Sequence, residues 1–372
     1  MARIYIRTFG CTANQADSEV LKGLLTEAGY TLTTLEDSDL IIFNTCSLKT
    51  PTEARLFRKI QDISKTKKII IGGCFPLSFP EDPRLTNFSL LGNFNFKQAV
   101  DVVERTLAGE RVVLLNKKAE EKLNLPHVRD DDKTAKIVIS KGCLGNCTYC
   151  AGKLARGQLV SYSSDKIIKE AKKAISEGCD KIYLTSQDCG CYGFDIKTDI
   201  VELLEKILAL DGKFKVRMGM ANPNHVYQLL PKIVEVYKHP KILKFLHVPI
   251  QAGSDKVLTS MNRQYNVKEF KEIVTTFRRE IPKLSIATDI IVGFPGETES
   301  DFKKTVDLLD WLKPEVLNFT KYWPRKGTVA GDNYFNKIDN PNDPKAKEDA
   351  KTKLKRALLI HNLFEKHKTN RL

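Results

Sequence analysis

The chain lacks any apolar run long enough to cross a bilayer, and its opening stretch, MARIYIRTFG, lacks the hydrophobic core of a signal peptide. A membrane-spanning or exported protein is therefore not expected; a cytoplasmic one is. No short-period repeat and no low-complexity tract interrupts the 372 residues. Acidic residues are in deficit, 46 against 60 lysines and arginines, for a net charge of +14. That surplus points to a polyanionic partner, nucleic acid most simply, or to no more than a lysine-rich solvated surface. Among the histidines, His127, His225, His247, His361 and His367 stand at no metal-ligand spacing and suit core or surface roles. Nine cysteines are present. Without a secretion signal they read as free thiols or metal ligands before disulfides. The length and a hydrophobic content of 42% are enough for two domains with real cores.

The N-terminal part alternates strands and helices. RIYIRTFGC predicts a strand running to Cys11, and SEVLKGLLTEAGY a helix with Leu21, Leu24, Leu25 and Ala28 on one face and Gly29 as its stop. DLIIFNTC predicts a strand ending at Cys46. TPTE then offers Thr50 as N-cap, Pro51 in the first helical position and Glu53 closing a capping box. KKIIIGGC is a third strand, ending at Cys74. Such alternation implies a parallel sheet covered by helices, and in open parallel sheets ligands bind at the C-terminal strand ends. Cys11, Cys46 and Cys74 all stand at that edge. Taken singly each suits a small buried side chain; the threefold repetition favours a metal site.

Residues 116–134, NKKAEEKLNLPHVRDDDKT, are charged and aperiodic and read as a linker. A second series follows: KIVISKGC, KIYLTSQD, KFKVRMGM, FLHVPIQAGS, LSIATDIIVGFPG and EVLNFTKYWP, with helical segments between most of them. The first of those helices is capped by Ser163 or Ser164 and ends at Gly178. Six strand–helix units suggest a partial or near-complete α/β barrel, whose active site lies at the C-terminal strand ends. The expected organisation is an N-terminal α/β domain over 1–115, the linker, a barrel over 135–335 and a basic amphipathic helical tail over 336–372.

The loop after the first barrel strand reads GCLGNCTYC, with Cys143, Cys147 and Cys150 inside eight residues. A structural zinc site needs four ligands, and no histidine stands near enough to be the fourth. Three soft thiolates suit an iron–sulfur cluster with one iron left open. An amino acid can chelate that iron. If it is S-adenosylmethionine, an electron from the cluster can break the sulfonium bond and release a 5′-deoxyadenosyl radical. Cys-x3-Cys-x2-Cys with Tyr149 before the last cysteine is the radical S-adenosylmethionine signature; an incomplete zinc knuckle is the alternative.

With both cysteine sets in view, the chain resembles the radical S-adenosylmethionine methylthiotransferases over nearly its whole length. FGCTANQADSE, NTCSLKTPTEAR and GGCFP resemble that family's N-terminal, flavodoxin-like domain; SKGCLGNCTYCAGKLARG, LTSQDCGCYGFDI, FLHVPIQAGSDKVLTSMNR and DIIVGFPGETESDF match its barrel in order. NTCSLKTPTEAR, YCAGKLARG and CYGFDI look most like the archaeal and eukaryotic branch, which methylthiolates C2 of N6-threonylcarbamoyladenosine at tRNA position 37. Other branches act on another tRNA adenosine or on a ribosomal protein side chain.

The resemblance implies two 4Fe-4S clusters, one on Cys143, Cys147 and Cys150 generating the radical and one on Cys11, Cys46 and Cys74 carrying methylated sulfur to the substrate. S-adenosyl-L-methionine would serve as both methyl donor and radical source. The partners implied are the tRNA anticodon stem-loop, an external electron donor of ferredoxin or flavodoxin type, and a sulfur donor. Thr185, Gln187, Asp188, Arg217 and Gln251 stand at barrel strand ends as candidate S-adenosylmethionine contacts, and Gly293–Glu297 as a wall beside the nucleoside. For each single polar residue, a structural hydrogen bond at a strand end competes with that role. Cys189 and Cys191 fit neither cluster motif.

Two departures stand out. The family usually carries a TRAM barrel after the basic helix, and this chain stops at NRL. Either the domain is absent by nature, with a separate TRAM-like RNA-binding protein acting in trans, or the sequence is cut short. WPRKGTVA also lacks the family's second proline after the arginine. In the tail, Lys351, Lys353, Lys355 and Arg356 are expected to meet RNA phosphates. A reading from another class, a non-catalytic metal-containing RNA-binding protein, shares the cysteines but not the radical chemistry.

Overall fold

The computed structural model describes residues 2–47, 50–117, 121–337 and 344–369. They form two compact units. The first comprises the chain through Cys143 together with Ala151–Gln187 and Asp211–Phe214; the second comprises Leu144–Cys150, Asp188–Leu210 and the chain from Lys215 onward.

The first unit is built on a six-stranded, wholly parallel sheet. Its spatial order is Thr31–Leu32, Arg3–Thr8, Leu40–Thr45, Lys68–Gly73, Ser89–Gly92 and Val113–Leu114. Strand residues alternate between faces, so Leu40, Ile42 and Ile70 pack with Leu21 and Leu25, while Ile41, Phe43, Ile69 and Ile71 pack with Phe57 and Ile60. Both faces are buried, as a parallel sheet requires. This order is flavodoxin-like, and the direction of strand succession reverses between Arg3–Thr8 and Leu40–Thr45. The reversal opens a crevice at the C-terminal strand ends. Cys11 and Cys46 follow those two strands, and Cys74 follows their neighbour.

Boundaries differ from the sequence expectations in instructive ways. The first strand ends at Thr8, and the next helix, Thr12–Glu27, starts earlier than expected, with Cys11 as its N-cap residue. Gly29 takes a φ of 89°, which fits the helix stop expected there. Cys74 opens a short helix, Cys74–Ser78. The helix after Cys46 runs over Thr50–Ile63, but the expected capping by Thr50 and Pro51 lies outside the described side chains. Ser163 stands at the cap of Ser164–Ser176 without a side-chain capping bond.

The segment read as a linker is not a solvated tether throughout. Lys122 is buried and its ammonium meets Asp17 at 2.5 Å. Val128 N–H donates to the Glu19 carbonyl at 2.9 Å. The first unit also holds Thr134–Val138 and Lys181–Thr185 as a parallel pair, with Lys136 ion-paired to Glu19. In the second unit, Phe245–His247, Ser285–Val292 and Val316–Lys321 form a parallel sheet. The helices Val267–Glu280 and Glu299–Leu312 both begin in capping boxes, Asn266 with Glu269 and Thr298 with Asp301. Among the described residues no helix is long and apolar enough to cross a membrane.

Candidate metal centres

Cys11 and Cys74, far apart in sequence, approach one side chain, and Cys46 stands beside the neighbouring Gly10. Asn14 Oδ1 lies 3.9 Å from Cys11 Sγ and 3.6 Å from Cys74 Sγ. Asn14 is itself fixed, its Nδ2 donating to the carbonyls of Phe9 (2.9 Å) and Thr45 (3.0 Å). Glycine makes the approach possible. At Gly10 (φ 111°) a Cβ would stand 2.9 Å from Cys46 Cβ, and at Gly73 (φ 93°) one would stand 2.4 Å from the Thr45 carbonyl oxygen. Neither backbone conformation suits an L side chain.

A buried charge system backs this cluster. Arg156 Nε donates to Cys74 Sγ at 3.3 Å, and its Nη2 donates to Asn14 Oδ1 at 2.8 Å and Asp17 Oδ2 at 2.7 Å. Arg156 is 4% exposed and Asp17 1%. Burial opposes the arginine's charge, but Asp17 and the facing thiols hold its pKa above the ordinary value. Burial likewise opposes the Asp17 carboxylate, and Arg156 and Lys122 outweigh it, holding the pKa low. Burial wins at Lys122, whose pKa falls despite Asp17. Two thiols sharing Asn14, a third cysteine beside Gly10 and a fixed cation at Cys74 fit an anionic thiolate-bound cluster.

The second cysteine group begins with Cys143, whose carbonyl accepts from Lys153 Nζ within the first unit. Gly142 N–H, next to it, donates to Gln187 Oε1 at 2.9 Å. In the second unit, the backbone turns so that Cys150 N–H donates to the Cys147 carbonyl at 3.1 Å. Thr148 anchors this turn: its N–H donates to Met261 O at 3.1 Å and its carbonyl accepts from Ala330 N at 2.8 Å. Arg263 Nη1 donates to Cys147 Sγ at 2.9 Å.

The Radical SAM superfamily matches residues 137–309, and Uncharacterized protein family UPF0004 matches residues 3–85. A relative from Pyrococcus horikoshii, named "Probable threonylcarbamoyladenosine tRNA methylthiotransferase", is 41% identical over 337 residues, covering 89% of this chain and 79% of the relative. A Mus musculus relative, "Threonylcarbamoyladenosine tRNA methylthiotransferase", is 39% identical over 339 residues, 88% of this chain and 58% of that protein. The chain belongs to the threonylcarbamoyladenosine tRNA methylthiotransferase family. In fold it is similar to the radical S-adenosylmethionine methyltransferase TsrM of Kitasatospora setae, solved with cobalamin and a 4Fe-4S cluster. That similarity has a TM-score of 0.66 at 13% identity, over 91% of this chain and 78% of the other.

Membership implies a 4Fe-4S cluster and S-adenosylmethionine for the radical SAM region. Of the five expected S-adenosylmethionine contacts, Thr185 ends its strand with its carbonyl accepting from Ile139 N–H at 3.0 Å, and Gln187 holds Gly142. Both are in the first unit. Arg217 lies in the second, its guanidinium carbon 4.3 Å from the Phe245 ring centroid. Gln251 adopts a φ of 71°, uncommon for a residue with a Cβ, while its backbone bonds Asp289 O (2.8 Å) and Ile291 N (2.9 Å).

Asp188 is fully buried. Its carboxylate accepts from Gly190 N (2.9 Å), Asn222 N (3.0 Å) and Asn222 Nδ2 (2.6 Å), and lies 2.9 Å from His225 Nδ1. Burial pushes its pKa up, and His225 and Asn222 outweigh that and hold it below the ordinary value. Histidines expected in core or surface roles pair with carboxylates: His225 with Asp188, His247 with Asp289 and His367 with Asp310, each at 2.9 Å.

The tail helix, Pro344–Thr369, corrects one expectation. Lys353 and Arg356 are each only 6% exposed and are engaged by carboxylates of their own unit. Arg356 Nη1 meets Glu297 Oε2 at 2.7 Å, so it clamps the Gly293–Glu297 turn, whose Gly293 N–H donates to the same carboxylate oxygen at 2.6 Å. Lys353 bonds Asp349 at 2.5 Å and lies over the Tyr322 and Tyr334 rings. Only Lys351 and Lys355 of the expected four are exposed. The sequence reading missed Asn14, Asp17, Lys122, Arg156 and Arg263; the polar run NQAD after Cys11 and the arginines of LARG and MNR were the available signals.

Proposed function

We propose that the protein methylthiolates C2 of N6-threonylcarbamoyladenosine in the tRNA anticodon loop, using two 4Fe-4S clusters and S-adenosyl-L-methionine. The single observation that supports this best is the approach of Cys11 and Cys74 to Asn14 beside Arg156, with Cys46 next to Gly10, in a chain that also carries the radical SAM cysteine motif. The target is an aromatic C–H bond without useful acidity, so acid–base groups cannot open it. When bound, the radical SAM cluster with S-adenosylmethionine supplies the primary carbon radical that can.

The chain's own residues hold and orient. In this reading Cys143, Cys147 and Cys150 hold the radical-generating cluster; Cys11, Cys46 and Cys74 hold the sulfur-carrying one. Thr185, Gln187, Arg217 and Gln251 line the S-adenosylmethionine site. Asp188, the fifth of these candidates, also accepts from Asn222 N–H and Nδ2. Arg156 balances the thiolate charge at Cys74. An external low-potential electron donor, a sulfur donor and a cytoplasmic location complete the reading. Exposed lysines such as Lys351 and Lys355 supply phosphate contacts, with the target base extruded from the loop.

The test is iron and product analysis after anaerobic reconstitution. Replacing Cys143, Cys147 and Cys150 with alanine leaves about half the iron and abolishes 5′-deoxyadenosine, because soft thiolates are the ligands. Replacing Cys11, Cys46 and Cys74 keeps some 5′-deoxyadenosine and stops methylthiolation. Zinc in place of iron in anaerobically purified protein contradicts the proposal.

A further inference from the structure

We propose that Arg263 is a positioning residue for the radical SAM cluster, a fixed cation donating to Cys147 Sγ and raising the cluster's reduction potential. The inference rests on the reading of Cys147 as a cluster ligand.

Every nitrogen of the Arg263 guanidinium has a partner. Nη1 donates to Cys147 Sγ at 2.9 Å, Nε donates to Tyr265 Oη at 2.8 Å, and Nη2 donates to Asn222 Oδ1. Each partner is itself held. Tyr265 is 6% exposed, and its hydroxyl reaches the carbonyls of Pro249 (3.0 Å) and Ile250 (2.8 Å). Asn222 is 7% exposed, and its Nδ2 donates to Asp188 at 2.6 Å, which leaves Oδ1 facing the arginine. A line of hydrogen bonds therefore runs from the buried Asp188 carboxylate through Asn222 and Arg263 to the sulfur.

The arrangement does more than fill space. A thiolate bound to iron keeps lone pairs that accept N–H donors, and such bonds to cluster sulfurs are a main determinant of potential. The reduced cluster carries one more negative charge than the oxidised one. A cation fixed at hydrogen-bond distance therefore favours the reduced form and moves the potential up. The planar guanidinium suits the task, since it serves three separate acceptors at once and stays charged. Direct electron transfer from an external donor becomes easier with Arg263 in place.

The test uses the full chain with Cys11, Cys46 and Cys74 replaced by alanine, so that one cluster remains, followed by redox titration monitored by electron paramagnetic resonance. Arg263→Gln is expected to shift the midpoint to more negative potential with iron content unchanged. Arg263→Lys, which keeps the charge, keeps the midpoint close to the parent's. Asn222→Ala, which keeps Arg263 but frees its anchor, moves the midpoint in the same direction by less. If Arg263→Gln fails to hold a cluster, Asn222→Ala decides. Midpoints equal to the parent's in Arg263→Gln, or in Asn222→Ala where that variant decides, overturn the inference. A parent protein that binds no iron at Cys143, Cys147 and Cys150 removes the cluster reading itself, and the inference with it.

Discussion

Arg156 reaches Cys74 Sγ at 3.3 Å and Asp17 at 2.7 Å from the last residue of the helix Ala151–Arg156, which follows directly on the radical SAM cysteine loop in the sequence. The same side chain thus satisfies a buried carboxylate and a candidate iron ligand. Removing it strands Asp17 with Lys122 alone, and breaking a buried ion pair costs about 3–5 kcal/mol. Arg156→Ala is expected to lose stability of that order in chemical denaturation and to lose iron at the N-terminal site. Adding Asp17→Asn to Arg156→Gln leaves the buried Lys122 without its carboxylate and should recover neither stability nor iron.

Gly73 offers a test confined to one cysteine set. Its φ of 93° and the Thr45 carbonyl, 2.4 Å from where a Cβ would stand, leave no room for alanine without moving the backbone that leads to Cys74. Gly73→Ala is expected to lower the iron bound at the N-terminal set and to stop methylthiolation. 5′-Deoxyadenosine formation should persist. Full methylthio transfer by this variant would show that the Cys74 position is not critical.

The tail separates stability from RNA affinity. Arg356→Ala leaves the Glu297 side chain, 1% exposed, without its guanidinium, at a cost of about 3 kcal/mol or more. The loss should appear in the unfolding of the protein without RNA. Replacing the exposed Lys351 and Lys355 with glutamine should leave unfolding unchanged and reduce the slope of log affinity for tRNA against log salt by about two at most, about one per phosphate. A slope unaffected by the lysine pair would place the phosphate contacts elsewhere.

Acid should weaken the second unit through Asp188. Its folded pKa lies below the ordinary carboxylate value. The stabilisation is therefore present above that ordinary value, near pH 4, and is lost as pH falls through the folded pKa. Asp188→Asn should flatten this part of the acid profile and cost about 3 kcal/mol near neutrality, since bonds to a charged acceptor are among the stronger ones. An acid limb identical in wild type and variant would assign it to other carboxylates.

The strands were legible because their residues alternate or run apolar and end in glycine or cysteine, and that is why Cys11, Cys46 and Cys74 could be placed at one sheet edge. Helix starts were less so: Thr12 begins its helix without a conventional cap, since Cys11 occupies that position. The polar surroundings of the sulfurs were not legible. Arg156 lies 139 positions from Asp17 and 82 from Cys74, and such pairings follow from topology rather than from any local pattern. Lys122 and Lys353 misled for one physical reason. A lysine in a charged stretch reads as solvated, but its ammonium can be buried once a carboxylate or aromatic face awaits it.

The central claim is tested most directly by nucleoside mass spectrometry of tRNA carrying threonylcarbamoyladenosine, incubated with anaerobically reconstituted protein, S-adenosylmethionine, a reductant and a sulfur source. The account predicts a nucleoside heavier by one methylthio group at C2 of the modified adenosine, absent when either cysteine set is replaced. Unchanged tRNA in a reaction that consumes S-adenosylmethionine to 5′-deoxyadenosine, or methylthiolation that survives loss of Cys11, Cys46 and Cys74, would contradict it.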